Sequence, residues 1–349
     1  MIEQNIDALL ADPLGPARRA RRAIGYVGLD IPEDLLAADG IFSCHLPWHT
    51  GRATPLADRY LEASFPGWAR SILEDWAAGC FDFLEFVVFT RGDDTAQRMY
   101  YYICELQRRG LLAGPEPLIF DIAKIQRPSS IDWTIRAVQR LATILGLDDQ
   151  ALQAGMRSAN HRRSTFNDIQ QARGTRGSLY ERIARASLFG PAEDLVAGLV
   201  HPQTDVAGRV VLAGSSPPDE RLHRAVEGSG WSVVSEACDR SLDRLGPPVT
   251  VPQVDPVQAI GKNAHAAQRG SRGFLNRAAA LTATTVEARA DAVIIWLIEQ
   301  DEALAWDLAA QRQSLQAVGM PTLVLMRRQW DCSDGPADEI AQFLRGLGR

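Results

Sequence analysis

A Cys-His-x-x-x-His cluster occupies Cys44, His45 and His49. A zinc site needs three or four ligands, and no fourth lies nearby, so no metal is assigned to this group. Cys44 could instead act as a nucleophile activated by His49, with Cys44 and His45 touching substrate. The plainer alternative is a strand-end cysteine followed by two loop histidines. Further along, RGDDT brings together Arg91, Asp93 and Asp94. Asp94 precedes a helical pattern and is expected to cap it. That leaves Asp93 to face a cleft, with Arg91 beside it as a substrate contact. Gly214, Ser215 and Ser216 form a short glycine-led turn, a type that can hold a phosphate or carboxylate. The segment EQDEA supplies Glu299, Gln300, Asp301 and Glu302. Asp301 joins Asp93 and His49 as an acid–base candidate and Gln300 is a substrate contact, unless these are solvated acids at a helix start. The chain has no G-x-S-x-G, H-E-x-x-H or Walker A motif.

These segments belong at strand ends, and the hydrophobic pattern says which strands. Ile41 to Leu46 reads as a strand after a short helix over Asp30 to Ala38. FLEFVVFT, from Phe83 to Thr90, is a buried strand because its β-branched and aromatic residues run on without alternation. A helix over Tyr60 to Ala78 precedes it and another over Thr95 to Arg109 follows, ahead of a third strand in PLIFDI. From Ile131 to about Leu199 the spacing is helical throughout, and the turn-rich HPQTDVAG closes this stretch. Strands then return in GRVVLAG, WSVVSEA, ADAVIIWLI and MPTLVLMR. A Pro-rich loop over Gly246 to Pro256 and helices over Ala303 to Val318 and Asp338 to Leu347 lie among and after them. The rhythm predicts an α/β protein: two Rossmann- or flavodoxin-like lobes with parallel sheets, residues 1–130 and 207–349, flanking a helical segment, 131–206. Ligands in such lobes bind beyond the carboxyl ends of the strands. The loops at Cys44–Gly51, Thr90–Asp94, Gly214–Asp219 and Glu299–Glu302 are therefore expected to confront one another across a cleft.

Bulk composition limits the partners. With 349 residues the chain exceeds one ordinary core. A net charge of -6 leaves no electrostatic footprint for nucleic acid. No apolar run approaches the ~18 to 20 residues of a membrane span. The polar, acidic start lacks a secretory pattern, so a cytoplasmic location is expected. Five cysteines, an odd number with no C-x-x-C pair, point to free thiols.

Several segments, in order, resemble the subunits of 2-hydroxyacyl-CoA dehydratases and benzoyl-CoA reductases. They are GYVGLDIPEDLLAADG, PGWARS, VVFTRGDDTAQR, SANHRRSTFNDI, the stretch from RVVLAGSSPPDERL to GSGWSVVSEACD, and GMPTLVL. The resemblance spans Gly25 to Arg345 and implies a cleft for a coenzyme A thioester between the lobes. It also implies pairing with a paralogous subunit and electrons from a separate ATP-dependent activator. In that family, cysteines from three loops hold a [4Fe–4S] cluster. The matching positions here, within a residue, are Pro66, Asp93 and Gln300, and neither proline nor an amide replaces a thiolate. The resemblance therefore leads to the expectation that no cofactor is bound to this chain. Three roles stay open: a cluster-free subunit beside a cluster-bearing partner in a hetero-oligomer, an enzyme turned to non-redox acid–base chemistry on a CoA thioester, and an interaction protein that keeps only the fold.

Overall fold

The computed structural model describes residues 2–171, 176–196, 206–251, 255–267 and 273–348. Its frame is two four-stranded sheets, both wholly parallel. The first holds β1 (Ala23–Val27), β2 (Phe42–His45), β3 (Phe86–Thr90) and β4 (Glu116–Phe120), in the order β2-β1-β3-β4. The second holds β5 (Arg209–Gly214), β6 (Ser232–Cys238), β7 (Ala292–Ile298) and β8 (Thr322–Arg328), in the order β6-β5-β7-β8. The two sheets share one topology. In each, the strand order reverses between the two central strands, and the crevice at that reversal is where open parallel sheets take ligands. Central strands need both faces covered, which is why β7 is a seven-residue apolar run with every residue buried.

β1 carries no expected strand in the sequence reading, which begins the first sheet at Ile41. Its pattern is broken by Gly25, and Gly28 follows it closely. Gly28 has φ +91°, and a Cβ there would lie 2.0 Å from the Thr90 hydroxyl. Only glycine lets the chain turn this close to β3. The consequence is positional. The strand ending at Cys44 and His45 is the sheet edge, and the loop at the central reversal is the one after β1.

Two expected helices are each divided. Tyr60 to Ala78 resolves into Pro55–Tyr60 and Gly67–Ala77, with Pro66 as the residue that starts the second, since proline is tolerated at a helix start and not inside. Ala303 to Val318 resolves into Glu302–Ala305 and Leu308–Ala317. The helical middle is Pro128–Leu145, Asp149–Gln171, Gly177–Ala186 and Ala192–Val196. Residues 201–205 of the closing HPQTDVAG stretch, and 252–254 of the Pro-rich loop, lie outside the described residues. Helices Pro128–Leu145 and Pro256–Ala266 both pack on the first sheet, where Val138, Leu141, Val257 and Ile260 share a core with Ile24 and Val88. Among the described residues no helix is long and apolar enough to cross a membrane.

The parts are pinned by one buried ion pair. Arg163 donates from Nη1 to Asp34 Oδ1 (2.8 Å) and from Nη2 to Asp34 Oδ2 (2.7 Å). Its Nε donates to the Leu245 carbonyl at 2.8 Å. One guanidinium thus joins the helix Glu33–Leu36 of the first lobe, the middle helix Asp149–Gln171 and the 3-10 turn Leu242–Leu245 after β6. Asn160, one turn earlier, exchanges two hydrogen bonds with the Val249 backbone, at 2.7 and 2.9 Å. Gly155 makes the approach possible, because a Cβ there would lie 2.2 Å from the Asp34 carbonyl oxygen. Removing one partner of a buried pair strands the other charge. Asp34→Ala is therefore expected to lower unfolding stability by about 3–5 kcal/mol, read as a drop in the urea midpoint. A loss below about 1 kcal/mol would show that Arg163 is not held this way.

Candidate functional site

The loops at the two strand-order reversals face each other across a cleft of about 830 Å³. From the first sheet it takes Gly28–Asp30 after β1 and Gly92–Thr95 after β3. From the second it takes Ser215 and Ser216 after β5, Asp239 and Arg240 after β6, and Glu299–Glu302 after β7. Trp48 and Trp330 close one side, and the Trp48 Nε1 donates across the lobes to the Pro218 carbonyl at 2.9 Å.

Seven acidic residues line this cleft, and four of them, Asp30, Asp93, Asp239 and Asp301, follow β1, β3, β6 and β7 and act on one another electrostatically. Asp93 accepts a hydrogen bond from the Ala96 amide at 2.7 Å and so caps the helix Asp94–Arg108. The expected cap, Asp94, is instead the first residue of that helix, while Asp93 caps and lines the cleft at once. Burial pushes the Asp93 carboxyl up to about 7; the Ala96 amide works against this, and Asp301, Asp239 and Asp30 add to it. Asp239 rises to about 6, mostly from burial, with Arg277 opposing and Asp30 and Asp301 reinforcing. Burial also raises Asp301, against a hydrogen bond with Ser215. Asp30 sits 3.1 Å from the Lys124 Nζ. Near neutral pH this floor holds protons that isolated aspartates would have lost, so it can donate as well as accept.

The remaining candidates divide by strand parity and by partner. His45 lines the cleft, but its Nδ1 lies 2.7 Å from the Leu46 carbonyl and its Nε2 accepts from the Gly28 amide at 3.4 Å. Burial pulls its pKa down to about 3, so it is neutral and braces the loop after β1. Cys44, its neighbour in an edge strand, points to the opposite face and is fully buried among Val27, Val87 and Phe89. Burial pushes its thiol up to about 12, so it neither reaches the cleft nor serves as a thiolate. His49 lies outside the lining, 3.4 Å from Asp75, and its amide accepts no cleft role either, donating to Ser71 Oγ at 2.8 Å. Arg91 turns away to Asp121 at 2.8 Å. Ser215 lines the cleft, and its Oγ accepts from the Ile298 amide at 3.1 Å, tying β5 to β7. Ser216 lines it too and accepts from the Arg240 amide at 3.1 Å. Gln300 and Asp301 lie together in the loop after β7. Pro66 is at the helix start, just outside the lining residues Ser64 and Trp68.

Sequence reasoning missed Asp30, Asp239, Arg240 and Arg244. Asp30 follows β1 as Asp93 follows β3, so recognising β1 would have exposed it. Asp239 and Arg240 directly follow WSVVSEAC, an expected strand whose loop is not among the four expected to face the cleft. None of the chain's cysteines lines the cleft. Cys80 lies in the turn after Gly67–Ala77 with its Sγ 3.8 Å from Asp75, Cys104 is inside the next helix, and Cys238 and Cys332 face Glu236 and the Trp330 carbonyl. A [4Fe–4S] cluster is held by thiolates, so the side chains of this cleft do not fit one.

The family model of the 2-hydroxyglutaryl-CoA dehydratase D-component matches residues 29–342. Comparison with the curated proteins gives no match.

The raised carboxyls have a measurable sign. A carboxyl whose folded pKa exceeds its unfolded value binds an extra proton in the folded state across the interval between them. Its contribution is present at low pH and is lost as pH rises through the folded value. For Asp93 the window runs from its ordinary value of 3.8 to about 7. Asp93→Asn keeps a helix cap and removes the titration. This variant should melt well above the wild type at pH 8, by less at pH 5, and close to it only as pH falls to about 3.8. Parallel pH–melting curves would show that Asp93 ionises normally.

Proposed function

This chain belongs to the 2-hydroxyglutaryl-CoA dehydratase D-component family, and from that premise we propose that it works as a cluster-free subunit. In this reading its interlobe cleft binds an acyl-CoA thioester while a paralogous partner subunit holds the iron–sulfur cluster. The observation that carries it is a large cleft at both strand-order reversals whose lining contains no thiol. Pro66, Asp93 and Gln300 stand where the resemblance places the family's cysteines, and Asp93 and Gln300 line that cleft. Its tryptophan-rich side suits the apolar part of an acyl chain, and its polar floor suits a thioester carbonyl.

A second reading has its own support in the proton-holding aspartates. On a 3-hydroxyacyl thioester one neutral carboxyl can protonate the hydroxyl on C3, which departs as water. A neighbouring carboxylate takes the proton from C2, beside the thioester carbonyl, and the C2–H electrons form the C2–C3 double bond. Asp93 with Asp301 is the pair for that lyase or hydratase chemistry, which needs no electron donor. His49 has no place in it, since it lies outside the cleft.

The two readings separate in one preparation. The tagged chain is isolated anaerobically from its native host, iron is assayed, and the chain alone is then incubated with hydroxyacyl-CoA thioesters. A partner in fixed stoichiometry that carries all the iron is the expected result. Stoichiometric iron on the isolated chain would sink the cluster-free reading. Turnover by the iron-free single chain would replace the first reading with the second.

A further inference from the structure

The cleft is lined by three arginines, Arg98, Arg240 and Arg244. Arg98, near the rim, is already paired with Glu62 at 3.0 Å. The other two differ. The Arg240 guanidinium lies over the Trp48 ring, 4.4 Å from its centroid, and among the described residues it makes no hydrogen bond or ion pair. The acids near it are committed elsewhere: Glu181 to Arg185 at 3.1 Å, and Glu236 to His223 at 2.7 Å. Arg244, one turn on, donates to Ser187 Oγ at 2.6 Å and toward the Arg240 and Ser241 carbonyls, all neutral oxygens. Arg244 is buried and Arg240 half-buried, and among the described residues neither has a carboxylate at hydrogen-bonding distance. A buried guanidinium left in that state is costly, and its planar fork fits a carboxylate or phosphate better than any other group.

We infer that Arg240, backed by Arg244, is an anion seat on the Trp48 side of the cleft, which takes a carboxylate or phosphate group of the ligand. Trp48 fixes the guanidinium from one face, so the fork stays aimed into the cleft as a bound oxyanion arrives. Arg240, Asp93 and Asp301 line the same cleft from three different loops, so a ligand with its anionic end on Arg240 can present a hydrogen-bond-accepting oxygen to Asp93 or Asp301. The seat is a property of the cleft itself. Only its assignment to a group of a thioester rests on the acyl-CoA reading. There, two sources share the chemistry: a carboxylate ending the acyl chain and a phosphate of the nucleotide.

Binding of glutaryl-CoA, butyryl-CoA, butyryl-pantetheine, glutarate and inorganic phosphate to the full chain distinguishes them, read by calorimetry or by tryptophan fluorescence. Arg240→Gln should weaken the anionic probe that uses the seat roughly 10- to 100-fold. Arg240→Lys should recover part of that, since it keeps the charge and loses the fork. A loss confined to glutaryl-CoA among the thioesters assigns the acyl carboxylate. An equal loss for both CoA thioesters, with butyryl-pantetheine unaffected, assigns the nucleotide phosphate. If no thioester binds the wild type, the acyl-CoA reading fails, and glutarate or phosphate binding lost in Arg240→Gln still supports the seat. Should Arg240→Gln fail to fold, a several-fold loss in Arg240→Lys supports the same conclusion. Unchanged affinity for every probe in a folded variant, or no probe binding the wild type, overturns it.

Discussion

The cleft exists because one guanidinium holds three parts of the chain together. Arg163 reaches Asp34 in the first lobe and the Leu245 carbonyl beyond β6, from a helix belonging to neither sheet. Neither partner is solvated, so the pair opposes separation of the lobes far more than an exposed ion pair would. Arg162, beside it, pairs with Glu33 and with Glu193 at 2.9 Å, extending the clamp to the last helix of the middle segment. The segment SANHRR is thus a structural brace. Its contribution to function is to fix the distance between two sets of loops.

Once that distance is fixed, the topology decides what meets. Two sheets of identical strand order each open at the reversal between their central strands. Asp30 and Asp93 come from one opening, and Asp301 from the other, with Asp239 arriving from the neighbouring edge strand. Burial, reinforced by the neighbouring carboxylates, lifts Asp93 to about 7 and Asp239 to about 6. On the Trp48 side the same dryness acts on Arg240 and Arg244, whose pKa burial lowers. Arginine stays charged regardless. The cleft therefore holds dischargeable acids and permanent cations together, and a ligand entering it meets both.

Much of this was legible in the sequence, and the failures have physical causes. Ser215, Ser216, Gln300 and Asp301 were found because β5 and β7 are uninterrupted apolar runs whose ends are unmistakable. β1 was not, because Gly25 and Gly28 dilute a five-residue signal that tertiary burial restores. The consequence propagates: with β2 as the first expected strand, Cys44 and His49 stand as candidates in place of Asp30. Strand parity alone separates Cys44 from His45, and no local rule says which of the two faces the core. The cationic seat was invisible for a different reason. An arginine without a partner is defined by what is absent around it in space, and Arg240 sits in an arginine-rich chain where its type carries no signal.

Asp93 shows how burial can overrule the end of a helix. A side chain just before a helix is bathed in the positive end of the helix and in free amides, which favour an anion there. A thiolate at such a place would gain from both. Asp93 receives the Ala96 amide, yet its pKa still rises, so burial and three neighbouring carboxylates outweigh the helix end. This loop therefore carries, in Asp93, a group that shares a proton near neutrality. Gln300, in the facing loop, adds a neutral donor and acceptor and no charge. These side chains can exchange hydrogen bonds and protons with an oxygen atom, and binding energy for an anion has to come from Arg240 and Arg244.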